Sequence, residues 1–458
     1  MPTRKRATKG FSSGQLAERA IHRRAVEAVI WGMPAVNYEL MFHEMAVKLK
    51  GGFNQILYWP RLLDWKNQTL TPNPDVIYLM PFFNTKDLGP MVLEIPPADG
   101  GLFNGSVMDY WQAAIEDIGP GGVDKGKGGK YLILPPGYDS TKVPAGYIPL
   151  PSDTYQGYAL VRSVLESGSD EDVAKAVKYA RRMKLYPLAK AANPPETVFV
   201  DASGVLFDST IPYDLRFFES LNRIVQAEPW LERDRAMIDQ LKTIGIERGK
   251  PFKPNARTKR ILGDAILEAQ AVLEEAYGKF DPFYPGGHWS FPVGEELARG
   301  ITSNFTEPDS YPVEARGSLY TFIFFSAKHP GHAQYYLLAD RDKSGRPLEG
   351  SASYRLRVPA NAPVTQYWSM TVYDRATHAF IRKAKWVGRS SQTPELQWNE
   401  DGSADLYFGS KAPGPKTNWI PTNANGRFEV LARFYGPQKA LFEKKTWKLP
   451  DIEKIKTN

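Results

Sequence analysis

The 458-residue chain contains no cysteine. Disulfides, thiolate nucleophiles, iron–sulfur clusters and cysteine-bound zinc are therefore excluded. Long apolar runs are also missing: no stretch reaches the roughly 18 uninterrupted apolar residues of a membrane-spanning helix. Neither a G-x-S-x-G nucleophile elbow nor a complete G-x-G-x-x-G after a strand occurs, so no serine-elbow, dinucleotide or flavin signature is present. Charge of one sign is scarce over most of the length. The formal total is +7, from 58 Lys+Arg against 51 Asp+Glu. Seven of those cations (Arg4, Lys5, Arg6, Lys9, Arg19, Arg23 and Arg24) sit in residues 1–24 against Glu18 alone, a local +6 that leaves +1 for the rest. A nearly neutral body offers no electrostatic footprint for nucleic acid. The basic start runs into Gly10-Phe11-Ser12-Ser13, not into an apolar segment, so no secretory signal is visible.

What is abundant is aromatic: 23 Tyr, 23 Phe and 11 Trp make 12% of the chain, with 37 Pro and 38 Gly to punctuate it. The apolar fraction of 42% and charged fraction of 24% are those of a globular protein with large cores. Ser12 and Ser13 predict a capped helix through Ala17, Ile21, Ala25 and Val29, ending at Gly32-Met33-Pro34. Short β-rich runs follow at 55–59, 76–83, 91–95, 130–134 and 155–164. A second helix starts at Ser169/Asp170, and Lys184 and Tyr186 are read as closing a helix before Pro187. From 213 to 280 apolar residues recur at helical spacing, as in Phe217, Leu221, Ile224 and Val225. After Gly317 the texture returns to β. Trp368, Met370 and Val372 alternate with Ser369, Thr371 and Tyr373, and Phe428, Val430, Ala432 and Phe434 with Glu429, Leu431, Arg433 and Tyr435.

The fold class expected is therefore α+β and β-rich. It has a basic N-terminal tail and helix start (1–24), a β-rich domain with flanking helices (25–205), a helical connecting segment (206–315) and a C-terminal antiparallel β-sandwich of jelly-roll type (316–458).

Three local motifs fail on their own chemistry. Gly121 to Gly128 approaches a phosphate-binding loop, but Gly128 stands where a magnesium-holding hydroxyl is needed and a strand, not a helix, follows. An exposed Gly/Lys hairpin or lid loop is the better reading. His329-Pro330-Gly331-His332 has no implied third ligand. Asp340 to Gly345 begins like a calcium loop, but its twelfth position is Ser351, so a polar turn is expected.

A larger set of residues is more specific. Thr71-Pro72-Asn73-Pro74-Asp75-Val76-Ile77-Tyr78 and Asp124–Tyr131 with Leu134-Pro135-Pro136-Gly137-Tyr138 resemble the bacterial family called domain of unknown function 1254. Asp342–Gly345, Leu348-Glu349-Gly350, Tyr367–Asp374, Asn418–Pro421 and Arg433–Pro437 resemble its usual companion, domain of unknown function 1214. With Glu228-Pro229 and Gly249–Phe252 between them, the resemblance covers roughly residues 25–450. It implies a β-rich first domain, a helical connection, a C-terminal β-sandwich and, in many members, export; it implies no particular reaction.

The site must then be argued from residue chemistry. Prolines on both sides of Asn73 favour extended or turn backbone, which sets Asn73 and Asp75 on one side just ahead of Tyr78. An amide, a carboxylate and a phenol suit binding a polar molecule or moving a proton, while Asx bonds within the turn satisfy the same residues structurally. Asp109 and Trp111, and Arg162 in the 155–164 run, place polarity in apolar strands, where a charge must be paired or face a cavity. An arginine facing a cleft clamps a carboxylate or sulfate. Lys184 beside Tyr186 forms an acid–base couple on paper, and Trp289, Tyr373 and Trp419 offer aromatic faces to a ligand.

The expectation is an enzyme of hydrolase or lyase type acting on a small polar or aromatic molecule, with Asp75, Tyr78, Tyr186 and Arg162 catalytic. Asn73, Asp109, Trp111, Lys184, Trp289, Tyr373 and Trp419 would bind substrate. The alternative is a carbohydrate- or partner-binding β-sandwich. No cofactor is implied, a divalent metal on oxygen and histidine ligands stays open, the partner is a small molecule and not nucleic acid, and a homo-oligomer stays open.

Overall fold

The computed structural model describes residues 10–323, 327–329, 334–443 and 446–456. Helix α1 (Ser13–Lys48) begins as expected: Ser12 Oγ accepts from Gln15 N at 3.3 Å, and the Gln15 side chain accepts from Ser12 N at 2.9 Å, a reciprocal cap. It does not stop at Pro34, however, but runs 36 residues through it. Proline in a helix interior removes the N–H that would bond the carbonyl four residues back. Here the freed Ile30 carbonyl is covered by Gly317, whose missing side chain leaves the room: a methyl at that position would collide with the Ile30 oxygen. Burial of the segment from Ala25 to Met45 then outweighs the local break.

The first β unit contains β1 (Gln55–Tyr58), β2 (Asn67–Gln68), β3 (Val76–Asn84), β4 (Met91–Ile95), β5 (Phe103–Asp109), β6 (Ala114–Ile118), β7 (Gly129–Leu134), β8 (Ile148–Pro151) and β9 (Gln156–Val164). After helix α2 (Asp170–Ala180) come β10 (Lys184–Pro187), β11 (Phe199–Asp201) and β12 (Phe207–Asp208). Lys184 and Tyr186 therefore lie on a strand paired with β4, not at a helix end; a four-residue run before proline is too short for periodicity to separate the two. A six-stranded sheet ordered β11-β1-β3-β9-β5-β6 faces a four-stranded sheet ordered β10-β4-β7-β8. Ile77 and Leu79 point into the core between them, while Tyr78, Met80 and Phe82 point the other way, toward α1. The Gly121–Gly128 segment is a turn between β6 and β7, tied down by buried Asp124, whose carboxylate accepts from Gly119 N at 2.8 Å and Gly128 N at 3.2 Å.

Helices α3 (Leu215–Ala227), α4 (Met237–Thr243), α5 (Ala256–Tyr277), α6 (Glu295–Thr302) and α7 (Val313–Phe322) fill the middle. Helical structure thus continues past Gly317, which is needed inside α7 for the contact with α1 and is not a turn. Among the described residues no helix is long and apolar enough to cross a membrane. The C-terminal unit has β13 (Gln334–Ala339), β14 (Ser353–Val358), β15 (Trp368–Asp374), β16 (Gly388–Ser390), β17 (Ala404–Gly409), β18 (Asn418–Pro421), β19 (Phe428–Tyr435), helix α8 (Lys439–Glu443) and β20 (Glu453–Ile455). They form two four-stranded sheets, β13-β19-β15-β16 and β18-β17-β14-β20, packed on one shared core. The pairing is antiparallel except between β17 and β18, which run parallel.

The β13-β19-β15-β16 sheet is buried on both faces. Trp368, Met370 and Val372, opposite Phe434, Ala432 and Val430, face the sandwich core. Tyr373, Leu431 and Tyr435 face the helices and the first β unit. Because a methyl on Gly317 would collide with the Ile30 carbonyl, Gly317→Ala should cost about 1–3 kcal/mol through overpacking, measured as a lower urea midpoint with unchanged m-value. An unchanged midpoint would show that the two helices can slide apart freely.

Candidate functional site

The Thr71–Tyr78 segment lies where the α1-facing side of the six-stranded sheet meets the second face of the β13-β19-β15-β16 sheet. Asn73 is 1% exposed and works in both directions. Its Oδ1 accepts from Asp75 N at 3.0 Å, the Asx bond expected of a proline-rich turn. Its Nδ2 donates to Tyr435 Oη at 2.9 Å and Tyr367 Oη at 3.0 Å, two rings stacked 4.4 Å apart in the C-terminal unit. Tyr373 Oη donates to the Pro72 carbonyl at 2.6 Å. Arg433, on β19, donates to Thr71 O at 2.8 Å, Tyr373 Oη at 2.6 Å and Thr371 Oγ1 at 2.9 Å. Thr71 N–H donates to His378 O at 2.8 Å, with Thr71 held at φ +38°. A β-branched residue in that region is strained, so the bonds on both sides of it are what keep it there.

Tyr78 projects from β3 beside Arg162 on β9, its register partner. The phenol oxygen accepts from Asn73 N at 3.1 Å and from Arg162 Nε at 3.3 Å, which occupies both lone pairs and leaves its proton without an acceptor among the described residues. Arg162 is 8% exposed and has no carboxylate at ion-pair distance among the described residues; the ionisable groups around it are tyrosines. Both side chains line a cavity of about 20 Å³, room for a single water, with Asn67, Thr69, Thr71 and Pro72 on one wall. Met41, Leu63, Leu70, Met80 and Leu160 complete it. Asn67 is 2% exposed; its Oδ1 accepts from Thr69, and its Nδ2 is buried without a partner.

The structure thus brings together Asn73, Tyr78, Arg162 and Tyr373 at one joint. Asp75 lies at its edge. Burial pushes its carboxyl upward, against the hydroxyls of Ser390 and Ser369 and the guanidiniums of Arg433 and Arg389, and its Oδ2 makes no hydrogen bond. The remaining candidates stand elsewhere. Tyr186 donates to Glu94 at 2.9 Å, and Lys184 lies 3.6 Å from the same carboxylate, on the far sheet. Asp109 accepts from Ala113 N at 2.8 Å, and burial raises its carboxyl while Arg233 and Arg316 pull it down. Trp111 packs on Trp31, with Arg316 over its ring. Trp289 is wholly enclosed in the sandwich core and donates to Pro450 O at 2.9 Å; Trp419 is half-buried and donates to Gly409 O at 2.8 Å. No aromatic groove assembles from them. His332 lies outside the described residues, as do Arg4–Lys9; His329 Nε2 is 3.1 Å from Glu116. No group of three or more metal-binding side chains is gathered among the described residues.

Sequence reasoning missed a second cluster altogether. His378, 2% exposed, sits on the turn after β15 with Nδ1 2.8 Å from Glu429 Oε1. Tyr277 of α5 donates to the other Glu429 oxygen, and Arg375 lies over the Tyr277 ring, Cζ 3.8 Å from its centroid, with Nη2 2.7 Å from Glu274. The alternation of β19 did mark Glu429 as facing away from the sandwich core, but five residues drawn from α5, a turn and β19 share no local pattern.

Residues 53–187 match the family described as Protein of unknown function (DUF1254), and residues 333–439 match Protein of unknown function (DUF1214). The joint described above is formed between these two regions. Among solved structures, the chain is similar to the VPA0106 protein from Vibrio parahaemolyticus, at 19% identity and a TM-score of 0.59 over 95% of this chain and 100% of that one. An uncharacterised protein from Burkholderia cenocepacia aligns at 10% identity and a TM-score of 0.42, over 97% of this chain and 96% of that one. The first of these likenesses is one of fold alone. No curated protein matches the chain.

Proposed function

We propose, for a chain that carries the DUF1254 and DUF1214 regions in tandem, that it binds a small anion, such as a carboxylate head group, in the cavity beneath the Thr71–Asn73 turn. The observation that carries this reading is a buried arginine, Arg162, that lines a cavity without a carboxylate partner. Leaving a guanidinium in such a place is costly unless something compensates it. The other polar groups there point the same way: the phenol proton of Tyr78 and the amide of Asn67 are donors without acceptors. One cation and two neutral donors, with no carboxylate or histidine among the lining side chains, select a single negative charge. The present volume takes one water, so a two-oxygen head group requires Met41 and Met80, flexible side chains on the cavity wall, to give way.

A second reading, an enzyme of hydrolase or lyase type, is favoured by the unspent Tyr78 proton, which sits where a bound anion would take it. Asp75 would be its base, acting from the edge of the joint.

Sodium formate and sodium acetate should raise the melting temperature over sodium chloride at equal ionic strength, since a ligand at about a hundred times its Kd stabilises by about 2.7 kcal/mol. Arg162→Met should abolish that rise while leaving the unliganded protein as stable or more so, because an apolar side chain replaces an uncompensated charge. If formate and acetate do no more than chloride, the binding reading fails. If Arg162→Met unfolds the protein, the guanidinium is structural.

A further inference from the structure

We propose that the His378 cluster is a proton-operated latch on the rim of the anion cavity: the imidazolium form holds Thr71 in place, and loss of its proton releases it. The consequence for ligand rests on the anion-cavity reading; the latch itself rests on the geometry of the cluster. His378 is one of the few non-glycine residues at positive φ (+52°), and its backbone is pinned by its N–H bonding Asp374 O at 2.7 Å. Its carbonyl is the acceptor for Thr71 N–H, and Thr71 is itself strained and lines the cavity. Two left-handed residues thus hold one another across the joint, and the ring of one is ionisable.

Around that ring the charged and titratable groups can be counted. From β19 comes Glu429, fully buried, 2.8 Å from Nδ1. From α5 come Glu274, 3.8 Å from Nε2, and Tyr277, bonded to Glu429. From its own turn comes Arg375, whose Nη1 is 3.3 Å from Nε2 and whose Nε is 3.9 Å from Glu429. Asp340, at the end of β13, is 3.7 Å from Arg341. Phe322 of α7 adds an apolar wall. Two carboxylates against one guanidinium leave one negative charge, which an imidazolium neutralises. A cleft of about 480 Å³, lined by Glu274, Tyr277 and Arg375, brings solvent to the edge of the cluster, so the proton has a route.

Burial alone would lower the His378 pKa, but Glu429 and Glu274 outweigh it and raise it above the ordinary histidine value. A raised folded pKa means that the stabilisation is complete below the unfolded value of about 6.5 and is lost as pH rises through the folded one. On that loss Glu429 faces a neutral ring whose Nδ1–H still bonds it but no longer supplies charge, the 374–378 turn loosens, and Thr71 returns to the extended region.

Hydrogen exchange of peptides covering 66–75, corrected for the intrinsic rate and followed across about pH 5–8, tests this. In the wild-type protein protection should fall about tenfold as pH rises. In His378→Gln the fall should vanish, and in Glu274→Gln, which leaves the buried pair intact, its midpoint should move to lower pH. A wild-type profile without a fall, or the same fall in a folded His378→Gln, overturns the latch. Should His378→Gln fail to fold, an unmoved midpoint in Glu274→Gln overturns it instead. Glu228, raised by burial to about 7 and bonded to Tyr155 N and Gln156 N at the far end of β9, titrates alike in every variant. Formate stabilisation measured on the same samples separates the two ideas: its absence at all pH values fails the cavity reading, while the exchange profile alone decides the latch.

Discussion

Arg433→Met lowers the stability of the protein by about 3–5 kcal/mol in equilibrium urea denaturation. The guanidinium is 2% exposed and serves Thr371, Thr71, Tyr373 and, at 3.4 Å, Pro72. Methionine fills comparable space but donates nothing, so the Thr71 carbonyl is left buried without its donor and the Tyr373 and Thr371 hydroxyls lose theirs. Each such orphan costs roughly 1–3 kcal/mol. Strain adds to this, because Thr71 keeps φ +38° only under the bonds at both ends of its backbone. The contrast with Arg162→Met gives the prediction its edge. Both arginines are buried and neither is ion-paired among the described residues, yet one donates to four oxygens and the other to one phenol. Should both substitutions cost the same, the division of the joint into a structural and a ligand-facing arginine is mistaken. Tyr373→Phe, which removes the donor to Pro72 and one acceptor of Arg433, should cost about 1–3 kcal/mol.

Glu429→Leu should cost a similar 3–5 kcal/mol at neutral pH, for a different reason. Its carboxylate is 0% exposed and is the common acceptor for His378 and Tyr277. Without it the imidazolium keeps only Glu274, itself paired with Arg375, so burial lowers its pKa and the ring is expected to give up its proton. Glu429→Gln should recover part of the loss, since an amide oxygen still accepts one hydrogen bond but no longer supplies charge. The stability gained on lowering pH through the histidine range should shrink with it. Equal pH dependence in the wild type and in Glu429→Gln would mean that His378 is neutral throughout, with Arg375 as the donor to its Nε2.

Much of the joint was legible before its geometry was known. Prolines around Asn73 do produce an Asx turn, and Tyr78 and Arg162 do sit on neighbouring strands, because both features depend on backbone preferences and side-chain alternation within a few residues. The alternation of 428–435 separated Phe428, Val430, Ala432 and Phe434 from Glu429, Leu431, Arg433 and Tyr435, and each set occupies one face. Local reasoning failed at Pro34, where a glycine almost three hundred residues away covers the carbonyl that proline frees. It failed again at Lys184–Pro187, where pairing with β4 outweighs the helical reading.

The sequence by itself determined the α+β class, the order of β, helical and β segments, the faces of the strands and the residues capable of acid–base or anion chemistry. These follow from periodicity and side-chain type, which act over neighbouring positions. Only the tertiary structure decided what each face meets: that Asn73 reaches two tyrosines 294 and 362 positions onward, that Arg162 is left facing a cavity, and that His378 shares Glu429 with Tyr277. Burial and pairing of a polar group are set by surfaces from distant parts of the chain, and no local pattern encodes which of those surfaces will arrive.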